Sequence, residues 1–386
     1  MPDLDAPLWL LFAHGLTLLL ALAALVATLL PLLRQTAWWI RVFDFPRLQI
    51  VGVLVLVLVA GVLLSWHHPA DDTYWAPALL GLLTLAAAYQ VYRIMPYTPL
   101  ANKQVLDSSL PDGDRHLSLV MMNVLQYNKQ GKKALEVLRQ ADSDIIMAVE
   151  TDEWWYQQLK PLEETHPYVC HEPLDNTYGL LFFSRLPLEG SEIKYLIDDD
   201  VPSLHTRLQL PDGQTWIRIY GLHPKPPAPA ESETSTRRDA ELLLVGKEIE
   251  NLDEPTIVFG DMNDVAWSHT SELFRRISGL MDPRVGRGLL PTFHADHILL
   301  RWPLDHVFVS PHFKVDDMER LPYVGSDHFP IYLKLSYEPH DKEKQEENCE
   351  EADVEDEQEA TEKIQEGFAE EVEEEAEEAA ASAGHQ

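Results

Sequence analysis

Apolar residues are distributed along this chain in three unlike ways. Leu8–Leu33 is apolar almost without interruption and meets no charge before Arg34. Residues 48–65 form a second run, rich in Val and Leu, and 75–92 a third that carries Tyr and Gln near its end. A bilayer core takes roughly 20 apolar residues per helix. The pattern therefore predicts two or three N-terminal transmembrane helices within 1–95. The first run is too long for the apolar segment of a signal peptide. It is preceded by Asp3 and Asp5 rather than by basic residues, so it reads as a retained segment.

From residue 116 the runs shorten and alternate. Strands are predicted over 116–122, 144–149, 178–184, 204–210, 216–222, 256–259, 302–309 and 330–335. Helical spacing occupies 132–141, 233–251 and 268–277. Strands alternating with helices make 116–337 an α/β domain. The Pro-, Ser- and Gly-bearing stretch 96–115 reads as a linker. Beyond 338 the pattern fades into blocks of Glu with Ala, and an acidic disordered tail is expected over 338–386.

Charge changes this picture in two ways. The formal net charge is −33, and more than half of it lies beyond residue 337. The remainder is still acidic, which argues against a protein that grips nucleic acid chiefly through a Lys/Arg surface. An enzyme that handles phosphate through a metal ion stays open. The only cysteines, Cys170 and Cys349, support neither a disulfide framework nor a zinc cluster. Basic residues also orient the spans. Arg34, Arg41 and Arg47 lie in the first loop, none in the second, and Arg93 and Lys103 follow the third run. Three spans in a cell (inner) membrane would place the domain on the cytoplasmic side; two would reverse it.

The chemistry lies in a repeated event. Predicted strands end at Asn123, at Glu150, at His223 and at the turn Gly260-Asp261-Met262-Asn263, while Asp327 and His328 immediately precede the last strand. Loops at one edge of a sheet scaffold are where sites collect. Each residue alone is a common cap or buried polar group; the ordered set is specific.

The segments Met122-Asn123-Val124, Val149-Glu150-Thr151, Gly221-Leu222-His223-Pro224, Phe259-Gly260-Asp261-Met262-Asn263, Leu304-Asp305-His306-Val307-Phe308 and Gly325-Ser326-Asp327-His328-Phe329-Pro330 resemble the signatures of the endonuclease/exonuclease/phosphatase superfamily. The N-terminal runs and the Pro291-Thr292-Phe293 element are similar to its membrane-anchored bacterial subgroup. The resemblance implies a four-layer sandwich of two mixed β-sheets flanked by helices. It implies a Mg²⁺-dependent phosphodiesterase (Mn²⁺ can substitute), acting at a membrane on nucleic acid or on a phospholipid or phosphorylated small molecule. Glu150, Asn123 and Asp327 would hold the metal, which offsets charge on phosphoryl oxygens. Asp261 would orient or deprotonate the water. Asp305 would fix His328, and that pair would bind the phosphoryl group or act as base. His223 and Asn263 would donate hydrogen bonds to phosphoryl oxygens. Gln126 and Asn128 stand where some relatives carry a further carboxylate, which argues against a second metal there. His306 and His205 read as strand residues, and Arg237 and Arg238 as either phosphate-reaching or helix-face residues. The rival class is a non-catalytic membrane scaffold with a degenerate enzyme fold and an acidic partner-binding tail.

Overall fold

The computed structural model describes residues 7–67, 75–229 and 231–383. It divides into two compact units, 1–96 and 97–386. The first contains α1 (Leu8–Leu29), the short α2 (Trp38–Arg41), α3 (Arg47–His67) and α4 (Trp75–Ile94). Three stretches are long and apolar enough to cross a membrane: Leu8–Leu33, Arg47–Trp66 and Pro77–Tyr97. They share a small core of Ala24, Leu54, Val57 and Leu83. Two of the arginines expected in the first loop are buried instead. Asp44 pairs with Arg47 at 2.6 Å and with Arg41 at 3.3 Å. Arg47 also donates to Gln90, which donates on to Thr28. Pairing of this kind is the usual condition for a charge among apolar helices.

In the second unit, sheet one contains β1 (His116–Asn123), β2 (Ile145–Val149), β3 (Tyr168–Glu172) and β4 (Leu180–Ser184). Sheet two contains β5 (Leu188–Tyr195), β6 (Pro202–Gln209), β7 (Trp216–Leu222), β8 (Thr256–Asp261) and β9 (Asp305–Val309). The chain then returns to sheet one as β10 (Phe313–Arg320) and β11 (Ile331–Tyr337). The strand orders are β10-β11-β1-β2-β4-β3 and β5-β6-β7-β8-β9. Each sheet has one parallel central pair, β1 with β2 and β7 with β8; the other pairs are antiparallel.

Period-two alternation explains the layers. Leu119 and Met121 of β1 face the space between the sheets, with Met147, Phe182, Ile219, Phe259 and Val307. Val120 and Met122 face the other way, onto α5 (Gly131–Ala141) and α6 (Glu153–Leu159). On the far side of sheet two, Tyr220, Val258 and Phe308 pack beneath α7 (Thr236–Glu250) and α8 (His269–Ser278). Two mixed sheets flanked by helices are what the motifs implied. Burial on both faces is why the central strands read as unbroken apolar runs.

Two segments differ from expectation. Residues 97–115 are not a free linker. Tyr97 is buried and donates to the Ala266 carbonyl at 2.6 Å, and Val105 belongs to the inter-sheet core. The tail from 338 is not featureless. After the short α9 (Lys342–Glu346), the helix α10 (Val354–Ala383) lies along α7. Ala360 is fully buried, Ile364 packs against the same core, and Gly367 passes so close to Ala240 that a Cβ there would sit 2.3 Å from it. Its acids have assigned partners: Asp356 with Arg276, Glu359 with His269, and Glu371 with Arg237. Repulsion among the glutamates is offset by cations that α7 and α8 hold in place. Truncation at Asp353 is therefore expected to cost about 3 kcal/mol, because the buried Arg237 and the partly buried Arg276 lose partners and a core edge is uncovered. Denaturant titration of the detergent-solubilised chain measures it; an unchanged midpoint would mean the helix contributes nothing.

Candidate functional site

The parallel pairs of both sheets point their C-terminal ends at one place. Asn123 closes β1 and Glu150 follows β2. His223 follows β7 and Asp261 closes β8. From sheet two's edge comes Asp305, first residue of β9, and His328 precedes β11. Gly260 allows the turn of β8 toward this point. Its φ is 156°, and a Cβ would lie 1.8 Å from the Leu222 carbonyl, so no other residue fits. Glu150 and Asn263 have φ of 59° and 49°. Asn tolerates that region; Glu adopts it at a cost, which the packing around it sustains.

These side chains form one chain, linked by hydrogen bonds and, between Asp261 and His328, by a charge contact. The Asn123 amide donates to Glu150 at 2.7 Å and to Asp261 at 3.0 Å. Asp261 lies 3.5 Å from His328 Nδ1 and accepts from the Asn263 backbone N–H at 3.0 Å. His328 Nδ1 donates to Asp305 at 2.8 Å. Asn123, Asp261, Asp305, His223 and His328 are all at least nine-tenths buried. One ligand atom from each of Asp261, Asp305 and His328 lies within 4.8 Å of the others.

Burial and mutual charge set the protonation states. Burial pushes Glu150 up to about 7, with Asp261 and Asp327 adding to the rise against the Asn123 hydrogen bond and the His328 charge. Burial would depress His328, but Asp305 and Asp261 outweigh it and raise the imidazole to about 10. Burial also opposes ionisation of Asp261, yet the His328 and His223 charges and two hydrogen bonds hold it below the ordinary carboxylate value. Asp305 goes the other way, raised by burial and by Asp261. His223 is lowered by burial to about 4 and is neutral at pH 7.

The motif residues thus meet, with two qualifications. Asn263 gives its amide to the Pro224 carbonyl at 3.0 Å, so it fastens the turn after His223. Asp327 acts on Glu150 and His328 through its charge. His306 is a structural residue, held between Arg284 at 2.7 Å and the Asp264 carbonyl at 2.9 Å. Arg237 and Arg238 lie neither on an exposed face nor free for phosphate. Both are buried, Arg237 on Asp198 and Arg238 on Asp239, Asp264 and the Asn263 carbonyl. His205 is buried beside Tyr220. Motif reading did not assign Tyr178, whose ring lies 5.4 Å from His223, or a role for Phe293, 5.0 Å from His328.

The donor set fits a hard cation. Four carboxylates, Glu150, Asp261, Asp305 and Asp327, act on a single imidazolium, leaving excess negative charge. Asp305 Oδ1 and His223 Nδ1 are buried without a hydrogen-bond partner among the described residues. The carboxylate oxygens among these groups suit a hard divalent cation.

Solved structures similar to the chain include a humanised D. rerio TDP2, with 17% identity, 57% of this chain and 99% of that chain covered and a TM-score of 0.48. An endonuclease/exonuclease/phosphatase family protein of Bacteroides thetaiotaomicron has 17% identity, 59% and 100% coverage and a TM-score of 0.49. The mannosyl-6-phosphatase Bt3783 of the same species has 18% identity, 57% and 100% coverage and a TM-score of 0.47. No curated protein matched by sequence. The model of the Endonuclease/Exonuclease/phosphatase family matches residues 122–328, more than half of the chain. That span runs from the strand ending at Asn123 to His328, and the chain belongs to this family.

Proposed function

We propose that the protein is a membrane-associated phosphodiesterase that requires a divalent cation and hydrolyses a phosphodiester by attack of water. The observation that carries this reading is the buried chain Glu150–Asn123–Asp261–His328–Asp305. Glu150, positioned by Asn123 and assisted by Asp327, would hold Mg²⁺ or Mn²⁺. When bound, the ion supplies charge to offset that developing on the phosphoryl oxygens.

The protein's own groups do the rest. Asp261, kept ionised, orients the attacking water and accepts its proton as the water oxygen bonds to phosphorus. His328 is an imidazolium at neutral pH, so it serves as a donor to a phosphoryl oxygen and not as the base. Asp305 holds its Nδ1 and leaves Nε2 for the substrate. His223 is neutral and donates without bringing charge. The bond from phosphorus to the leaving oxygen then breaks, and that oxygen keeps the electron pair and takes a proton from solvent. The basic residues flanking the spans support a cytoplasmic catalytic unit in a cell membrane, and both nucleic acid and phospholipid carry the required diester.

The test is hydrolysis of bis-p-nitrophenyl phosphate by the full chain in detergent. Turnover is expected with Mg²⁺ or Mn²⁺ and none with excess chelator; chelator-resistant turnover would refute the metal requirement. Metal affinity should also depend on pH. Glu150 must lose a proton to bind, and its value near 7 means that apparent Mn²⁺ affinity falls about tenfold per pH unit below that point. Mn²⁺ titration followed by electron paramagnetic resonance at several pH values measures this, and Glu150→Gln should abolish the dependence.

A further inference from the structure

Residues 293–302 form a short finger whose base is part of the site. Phe293 bridges to Trp302 on one side and to His328 on the other. The His294 N–H bonds to the Leu300 carbonyl at 3.0 Å, and the Ala295 N–H bonds to the Asp327 carbonyl at 2.6 Å. The base is thus fixed to Asp327 and His328. The tip is apolar: Ile298, Leu299 and Leu300 are 77%, 78% and 48% exposed. Exposed aliphatic side chains elsewhere among the described residues of the catalytic unit stand singly.

Beside this tip lie two arginines. Arg301 and Arg320 sit 5.1 and 4.2 Å from the centre of the same Phe329 ring, next to His328. Among the described residues, Arg301 donates to the His294 and Ala295 carbonyls and Arg320 to that of Pro291. The chain has 63 acidic residues against 30 Lys and Arg. Even so, neither arginine pairs with a carboxylate among the described residues. Burial and the charge of Arg301 both push Arg320 down, as expected of two cations that share no anion.

Aliphatic tip residues backed by paired arginines match the cross-section of a bilayer surface, with acyl chains beneath anionic phosphates. Single-stranded nucleic acid fits less well. Bases stack on aromatic faces, whereas the three tip residues have none and Phe329 already lies under two guanidinium groups. The chain also carries three stretches able to cross a membrane.

We propose that residues 293–302, with Arg301 and Arg320, form a lipid-docking element. Ile298, Leu299 and Leu300 enter the acyl boundary of an anionic membrane, and the two arginines hold lipid phosphates. The element presents a headgroup diester to the Asp305–His328 pair, a last clause that rests on the phosphodiesterase reading.

The experiment uses the full chain with Cys170→Ser and Cys349→Ser, a Leu299→Cys substitution and a bimane label at that cysteine. The protein is placed in phosphatidylcholine vesicles holding phosphatidylglycerol at about one part in three, with and without acyl-brominated lipid. Bromine is expected to quench the label. Arg301→Glu with Arg320→Glu should weaken that contact about fivefold for each arginine removed. Turnover of bis-p-nitrophenyl phosphate is measured on the same samples. Quenching that weakens in the arginine variants supports the docking element, and does so even if no diester is turned over, in which case the phosphodiesterase reading alone fails. Absent quenching with diester turnover intact overturns the docking element and leaves that reading standing. A label shielded by a single-stranded oligonucleotide but not quenched by brominated lipid overturns it in favour of nucleic acid.

Discussion

His328→Ala is expected to lower kcat about 10³-fold, with cation binding at Glu150 largely retained. The imidazolium is a cation amid the site's carboxylates, and its raised value of about 10 comes from Asp305 and Asp261 working against burial. On the proposed mechanism, removing it takes away a donor to the phosphoryl group, a loss of about 10²–10³ for a single preorganised donor. It also leaves Asp261 and Asp305 buried together without a counter-charge. One of them then takes up a proton, and Asp261 becomes less able to accept one from water. The two effects act in the same direction and are not additive.

Asp305→Asn separates them. It keeps the donor but removes the larger source of the raised value, so the imidazole titrates lower. If the protonated form is the active one, activity is lost as pH rises through the His328 value. The alkaline limb should lie near 10 in the parent and move to lower pH in Asp305→Asn. The pH–rate profile of both proteins checks this. Retention of activity within threefold in His328→Ala would remove His328 from the mechanism.

Glu338→Ala is expected to destabilise the catalytic unit by about 3–5 kcal/mol, the usual cost of removing one partner from a buried ion pair. Glu338 is fully buried. It accepts from Lys314 at 2.8 Å, from the Ser109 N–H at 3.0 Å, and from the Ser108 and Ser336 hydroxyls. It thereby ties residues 108–109 to the end of β11 and to β10. Burial works against ionisation, but Lys314 and the serine hydrogen bonds overcome it and hold the carboxyl at about 2. A carboxyl lowered on folding contributes its stability above its ordinary value near 4.5 and loses it as pH falls toward 2. The parent should therefore lose stability through that window, and Glu338→Gln should lose less of it. Denaturation midpoints between pH 2 and 7 measure both effects.

Much of this structure was legible in the order of residues, and the exceptions share a physical cause. Central strands such as β1, β2 and β8 bury both faces, so their apolar runs stand out. β3, β5 and β10 were missed, and each lies at a sheet edge. In Leu188–Tyr195, for example, Glu189, Ser191 and Glu192 face solvent, which is how edge strands avoid pairing with other chains. Helix α10 was read as disordered because its composition is that of a solvated segment. The cations that hold it, Arg237, Lys247, His269 and Arg276, are spread over α7 and α8, and no local window brings them together. At the site, the motifs named the residues that meet. They could not show that Asn263 binds the Pro224 carbonyl, that Arg237 and Arg238 are buried, or that Arg301 and Arg320 share one ring. Those are facts of packing between elements distant in sequence.

The return of the chain to its first sheet also bears on how the protein is made. β1 finds its antiparallel neighbour only when Ser336 comes to lie beside His116, and His328 arrives with the same late segment. A ribosome that has delivered the apolar helices and sheet two has still not supplied an imidazole to Asp305. If the proposed phosphodiesterase reading holds, products of interrupted synthesis would therefore be inert. On the function proposed above, hydrolytic capacity would emerge in a single late step, long after the apolar N-terminal helices have been made.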